Sequence, residues 1–234
     1  MPLIHESMNR GRSRTGWLDA FHSFSFGSFR DPTRMGFGRL RVLNEDHIVP
    51  GAGFPAHDHA GMDILTYVLS GCLRHQDSLG HSADITAGEV QLMSAGTGIT
   101  HAEMNASQTD RAHLLQIWLI PDDPGGAPSY HQHALPADAG RQGLTRIAGG
   151  PPGPGIMPLR SDTTFWLARP AMGETTSLPL EPGRLGFVHL VSGLATAEGE
   201  ALRGGDALQT DGGPLPDLLW QTEGEALYFD MPAH

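Results

Sequence analysis

The chain is short of several residue types, and each shortage narrows its class. It has a single cysteine, Cys72, among 234 residues, which excludes an internal disulfide and a thiolate zinc cluster. No stretch approaches eighteen consecutive apolar residues, so no membrane-spanning helix is expected. The opening MPLIHESMNRGRSRTG lacks the apolar stretch of a signal peptide, and a cytoplasmic protein is the natural expectation. Lysine is missing: the 15 basic residues are all arginine, set against 26 acidic ones, for a net charge of -11. An acidic chain repels phosphate backbones, which disfavours direct nucleic-acid binding. Windows with helical periodicity are few.

Glycine and proline are plentiful, at 31 and 18 residues, about a fifth of the chain. Such a load breaks helices and favours short strands joined by turns. Hydrophobic residues, at 39%, suffice for a core. Short β-branched or apolar runs recur at 39–43, 63–69, 90–93, 113–119, 186–191 and 225–229, most of them ending at turn residues. Strands at this spacing predict an all-β sandwich or barrel. Gly/Pro-rich stretches at 121–128 and 149–158 read as linkers or surface loops. A weak repeat, VLSG at 68–71 and LVSG at 190–193, followed by GEV at 88–90 and GDA at 205–207, suggests one β unit built twice. The expected division is 1–125 and 126–234.

Histidine is the outlier, at 13 residues. His57 and His59, two apart, point to one face of a strand about 7 Å from each other. His101 and Glu103 repeat the spacing further along. If the two strands lie side by side, three neutral imidazoles and one carboxylate meet at a centre suited to a borderline divalent ion. Leu65, Tyr67, Leu69, Leu92, Leu115 and Ile117 are expected to wall that centre with apolar surface.

These segments carry a resemblance. HSFSFG at 22–27, GFG at 36–38, RVLNED at 41–46, the HxH at 57–59, YVLSG at 67–71, HxDS at 75–78 and MSAGTGITHAEMN at 93–105 resemble the cupin motifs in the form used by pirins. The likeness is dense over residues 10–120 and thin beyond. It implies a bicupin: two jelly-roll-like β-barrels, with metal in the N-terminal one. It maps the metal ligands onto His57, His59, His101 and Glu103. Asp63 stands where pirins often have Glu, and is read as a turn residue or a residue behind the ligands.

In the second half, an offset of 122 puts Pro179 and Glu181 at the places of His57 and His59. An offset of 117 puts Leu218 and Trp220 at those of His101 and Glu103. The second half is therefore expected to lack the ligand set. His75 and His189 read as satisfied core residues, His22 as strand packing, and His131 and His133 as exposed. Arg10, Arg12 and Arg14 read as a solvated terminal arm, and Cys72 as a small buried residue.

A 3-His-1-carboxylate set on a pirin-like scaffold resembles quercetin 2,3-dioxygenase. The expected cofactor is one divalent transition metal, Fe(II) first, with Cu, Ni, Mn, Co and Zn compatible with the same donors. The expected substrates are a flavonol and dioxygen, with Glu103 as the base that accepts the flavonol 3-hydroxyl proton. The competing reading is a metal- or redox-dependent regulator that binds protein partners and turns nothing over.

Overall fold

The structure, a computed structural model, describes residues 2–233. Among them the only helix is a 3-10 turn at Ser7–Asn9. The strands, in chain order, are β1 (Leu3–His5), β2 (Gly11–Arg14), β3 (Leu18–His22), β4 (Leu40–Ile48), β5 (Gly53–His59), β6 (Asp63–Ser70) and β7 (Cys72–Asp77). Then follow β8 (Ser82–Thr86), β9 (Glu89–Ser94), β10 (Ile99–Asn105), β11 (Ala112–Leu119), β12 (Ser129–Ala134), β13 (Thr145–Gly149) and β14 (Thr164–Ala168). The last are β15 (Thr175–Thr176), β16 (Leu185–Ser192), β17 (Leu194–Ala197), β18 (Glu200–Arg203), β19 (Ala207–Asp211), β20 (Leu218–Trp220) and β21 (Glu225–Met231). Each run singled out in the sequence falls within or nearly within one of these strands. All named strand pairs are antiparallel.

The strands form two compact units, residues 11–135 and residues 1–10 with 136–234. The first holds a seven-stranded sheet, β12-β9-β6-β11-β4-β3-β2, and a four-stranded sheet, β5-β10-β7-β8. Ile48, Val68, Ala112 and Leu114 of the larger sheet pack with Leu73 and Ile85 of the smaller one, so the sheets face each other across a dry layer. The second unit repeats the plan, with sheets β1-β19-β16-β21-β14-β13 and β15-β20-β17-β18. Val188, Leu190, Leu208 and Tyr228 meet Ala195, Leu202, Leu218 and Trp220 between them. Each unit is a cupin-like sandwich rather than a closed barrel.

The two strand orders correspond element by element except for β2, which has no counterpart, with β16 in the place of β6, β20 in that of β10 and β15 in that of β5. The repeated Ser-Gly is the turn from β6 to β7 and from β16 to β17. Gly71 (φ 80°) and Gly193 (φ 89°) are both left-handed there. An added Cβ would stand 2.6 Å from the Arg111 carbonyl oxygen in one and 2.7 Å from that of Glu223 in the other. The division of the chain differs from 125/126 at both ends. β12 belongs to the first unit because it pairs with β9, and β1 to the second because it pairs with β19. The 149–158 stretch is not all surface: Met157 is buried and bridges to Ala148.

Candidate metal centre

β5 and β10 are neighbours, and their register sets His57 directly opposite His101. The pairing slips beyond this point, so that Glu103 stands opposite Phe54 rather than Pro55. The extra residue lies on β5, at Pro55 and Ala56. Proline has no N–H to give a ladder, so a bulge there leaves fewer backbone groups unpaired. The Pro55 carbonyl freed by the bulge accepts a hydrogen bond from His57 Nδ1 at 2.8 Å. That bond fixes the tautomer and leaves Nε2 with its lone pair. Gly53 makes the close pairing possible. A Cβ at that position would overlap the Glu103 carbonyl oxygen and stand 2.6 Å from Met104 Cα.

The three imidazoles converge. Ring centroids are 4.5 Å apart for His57 and His101, 4.8 Å for His57 and His59, and 4.9 Å for His59 and His101. One nitrogen from each lies within 4.8 Å of the others. Burial, with the charges of His101 and His57, pulls the His59 pKa down to about 4. Burial, with His57 and His75, pulls His101 to about 3. Both rings are neutral near pH 7, the state that ligates a metal. His101 Nε2 is buried without a hydrogen-bond partner, a cost that a cation would remove.

Glu103 groups with His101 and His75, again within 4.8 Å, rather than with His57 and His59. Its carboxylate accepts hydrogen bonds from Gln116 Nε2 at 2.9 and 2.8 Å and from Thr66 Oγ1 at 3.2 Å. Asp46 is buried nearby on β4. Burial, then the charges of Glu103 and Glu45, push its pKa up to about 8, so it keeps its proton at neutral pH.

His75 does more than fill core. Its Nε2 donates to Asp77 Oδ2 at 3.0 Å, and its Nδ1 stands 3.5 Å from His101 Nδ1 and 3.2 Å from Gln91 Nε2. With His75 Nδ1 as acceptor, His101 carries its proton on Nδ1 and keeps Nε2 free for a metal. Asp77 in turn is tied by the Leu79 and His81 amides and by His81 Nδ1. Burial raises the Asp77 carboxyl, but hydrogen bonds from His75 and His81 outweigh it and the pKa falls. Sequence reasoning missed this pair, although HxDS at strand spacing was its signal.

The imidazoles open onto a cavity of about 390 Å³. Its apolar wall is Leu18, Ala20, Phe26, Phe54 and Trp118, with Trp118 edge-on to His59 at 4.8 Å. The walls expected from sequence are a correction. Leu65, Tyr67, Leu92, Leu115 and Ile117 are buried and Leu69 is half-buried, but none of the six lines the cavity. Leu65 pairs with Leu92 and Ile117, and Tyr67 with Leu115, on the other face of the seven-stranded sheet. Strand parity decides this: Thr66, Gln116 and Trp118 have the opposite phase and face inward. His22 also lines the cavity, held by Asn44 and Ser13 at 2.8 Å each. His189 is buried, Arg12 pairs with Asp19, and Cys72 is only half-buried. Asp63 is buried within β6 rather than at a turn, and His131 and His133 sit on β12, the first half-buried and the second exposed.

In the second unit, Leu218 stands opposite Thr176 as Glu103 stands opposite Phe54, and Trp220 opposite Ala195 as Asn105 opposite Leu73. Leu218 thus holds the place of Glu103 and Trp220 that of Asn105, two residues from where the offset of 117 put them. The offset of 122 agrees with this register, since Thr175 and Thr176 fall at the places of Gly53 and Phe54. Trp220 Nε1 donates to Thr176 Oγ1 at 3.0 Å. Among the described residues, every cluster of three or more metal-type donors lies between Glu45 and His113.

Residues 5–119 match the pirin family and residues 147–231 the quercetinase C-terminal cupin domain. The chain is 37% identical over 232 residues to a quercetin 2,3-dioxygenase of Escherichia coli (strain K12), covering 99% of each. The chain belongs to the pirin family. A pirin-like protein of Caulobacter vibrioides is 40% identical to this pirin over 197 residues, 84% of each chain. The crystal structure of the bacterial pirin YhhW from Escherichia coli in complex with nickel(II) matches it over the full length of both chains. The TM-score there is 0.94, at 36% identity. This pirin is thus a bicupin and a metal-dependent, quercetin 2,3-dioxygenase-like oxidoreductase. No helix among its described residues is long and apolar enough to cross a membrane.

Proposed function

We propose that this pirin is a cytoplasmic dioxygenase that cleaves quercetin-like flavonols with dioxygen at an ion held by His57, His59, His101 and Glu103. The observation that carries this reading is the meeting of three imidazoles at the floor of an aromatic-walled cavity. The donor set fits a borderline divalent ion, Fe(II) first among Cu, Ni, Mn, Co and Zn. The unsatisfied His101 Nε2 fits it as well. Glu103, which groups with His101, would be the fourth donor. When bound, such an ion supplies Lewis acidity and the one-electron chemistry that dioxygen requires.

The chain's own residues supply the rest. Phe26, Phe54 and Trp118 receive flat aromatic rings and exclude water. The cavity volume is that of a small-molecule site. A Glu103 carboxylate oxygen accepts the proton of the flavonol 3-hydroxyl, and Gln116 and Thr66 keep that carboxylate aimed. The ring then opens with uptake of dioxygen and loss of carbon monoxide.

The test is aerobic incubation of the metal-loaded protein with quercetin, read by loss of the flavonol absorbance band. Turnover is expected, with Glu103→Gln at least a hundredfold slower and still holding metal. No turnover with Fe, Cu, Ni, Mn or Co would overturn the substrate. Full activity in Glu103→Gln would overturn the base.

A further inference from the structure

A second set of metal-type donors lies on the opposite face of the seven-stranded sheet. Along β4, Asn44 and Asp46 line the cavity, so Glu45 and His47 point the other way. His113 of β11 is registered directly opposite His47. The two imidazoles stack with centroids 4.0 Å apart. His113 Nε2 stands 2.9 Å from Glu45 Oε1, and His47 Nε2 stands 3.8 Å from the same oxygen. One donor atom from each of the three residues lies within 4.8 Å of the others. All three are half-buried, with 17–32% of each side chain open to solvent.

We propose that Glu45, His47 and His113 form a second cation site, for a borderline divalent ion such as Zn(II), Ni(II) or Cu(II), separate from the cavity. The construction is that of the inner site: a histidine pair in direct cross-strand register, joined by a residue two positions along one strand. Such a set is anchored by two central strands, so only side-chain torsions move on binding. Bonds of about 2.0–2.2 Å in tetrahedral array put donors about 3.4 Å apart. The separations of 2.9 and 3.8 Å fall on either side of that value. Binding through Nε2 takes the His113 tautomer that carries its proton on Nδ1, and the hydrogen bond to Glu45 gives way to the ion. An ordinary hydrogen bond accounts for His113 and Glu45, but not for a second imidazole brought to the same carboxylate oxygen. Asp19 does not join the set, because Arg12 holds both of its oxygens at 2.8 and 2.6 Å. The remaining coordination positions are taken by water. With three protein donors and open access, the ion exchanges with solvent, unlike one held in the cavity.

Equilibrium dialysis against Zn(II) alone, followed by elemental analysis, tests this. The double variant His57→Ala/His101→Ala removes the inner donors, so the outer site reads by itself whatever the fate of the inner one. It should bind one Zn(II) per chain, and adding His113→Asn should weaken that binding at least tenfold, with the strand circular dichroism unchanged. If the double variant does not fold, the same loss of one ion is read between the wild type and His113→Asn. Absence of Zn(II) from the folded double variant, or an ion that survives His113→Asn undiminished, would overturn the site.

Discussion

At the scale of single residues, the histidines differ by what their second nitrogen meets. His57 is oriented by the Pro55 carbonyl and His101 by His75, which Asp77 orients in turn. Residues behind a ligand commonly set its affinity within a factor of 10–100. His75→Ala is therefore expected to weaken metal binding at the inner site by about that factor, and Asp77→Asn by less. Metal titration in a His113→Asn background is the measurement, and unchanged affinity in His75→Ala would dismiss the relay. Asp46 offers a separate test. Its folded pKa of about 8 lies above the ordinary carboxyl value of 3.8, so between these values the folded state binds more protons than the unfolded one. Stability is then fullest below about pH 4 for this group and is lost as pH rises through 8. The slope approaches about 1.4 kcal/mol per pH unit for one proton. The stability of the metal-stripped wild type relative to Asp46→Asn, read by urea unfolding from pH 5 to 8, should fall as pH rises, because the opposite contribution of His59 and His101 is common to both and cancels. The stripped form is needed because a cation beside Glu103 would draw off the Asp46 proton.

At the scale of elements, the placing of β5 against β10 decides whether donors meet. Gly53→Ala drives a methyl group into the Glu103 backbone. It should cost roughly 1–3 kcal/mol by overpacking. It should also lower metal affinity, since β5 must lift from β10. Thermal unfolding and metal titration on the same variant read the two effects, and an affinity as in the wild type would mean that the strands do not set the site. This is also where sequence legibility ends. HxH and HxE announce themselves because a strand puts alternate residues on one face, and their own spacing is local. The bulge at Pro55, which offsets Glu103 by one residue, depends on a partner strand and left no local mark. The apolar wall failed for a similar reason. A fully buried central strand is apolar on both faces, so composition does not tell Leu115 and Ile117 from the inward phase of Gln116 and Trp118. His47 and His113 lie far apart in sequence, and only the β4–β11 register makes them a pair.

At the scale of the whole molecule, one strand plan is used twice and only one copy carries donors. The duplication was legible from two short motifs because both mark a turn where only glycine fits. The exchange of edges, with β1 beside β19 and β12 beside β9, was not, because edge strands this short carry little pattern. The plan has a thermodynamic consequence. Both units have a full apolar core, so neither needs an ion to fold, and the apoprotein should be folded. The inner donors, His57 to Glu103, all lie in the unit 11–135. An ion bound there stabilises that unit by mass action, by about 2.7 kcal/mol at a free concentration a hundred times its Kd. For a unit of this size the shift in Tm is on the order of 10 °C. Calorimetry of His113→Asn, stripped and then reloaded, should show that upward shift. Adding His101→Ala should remove it, because the ion then loses the donor buried deepest. A shift that persists without His101 would place the stabilising ion elsewhere in the chain, and an apoprotein without a cooperative transition would mean that the core of the first unit depends on its metal.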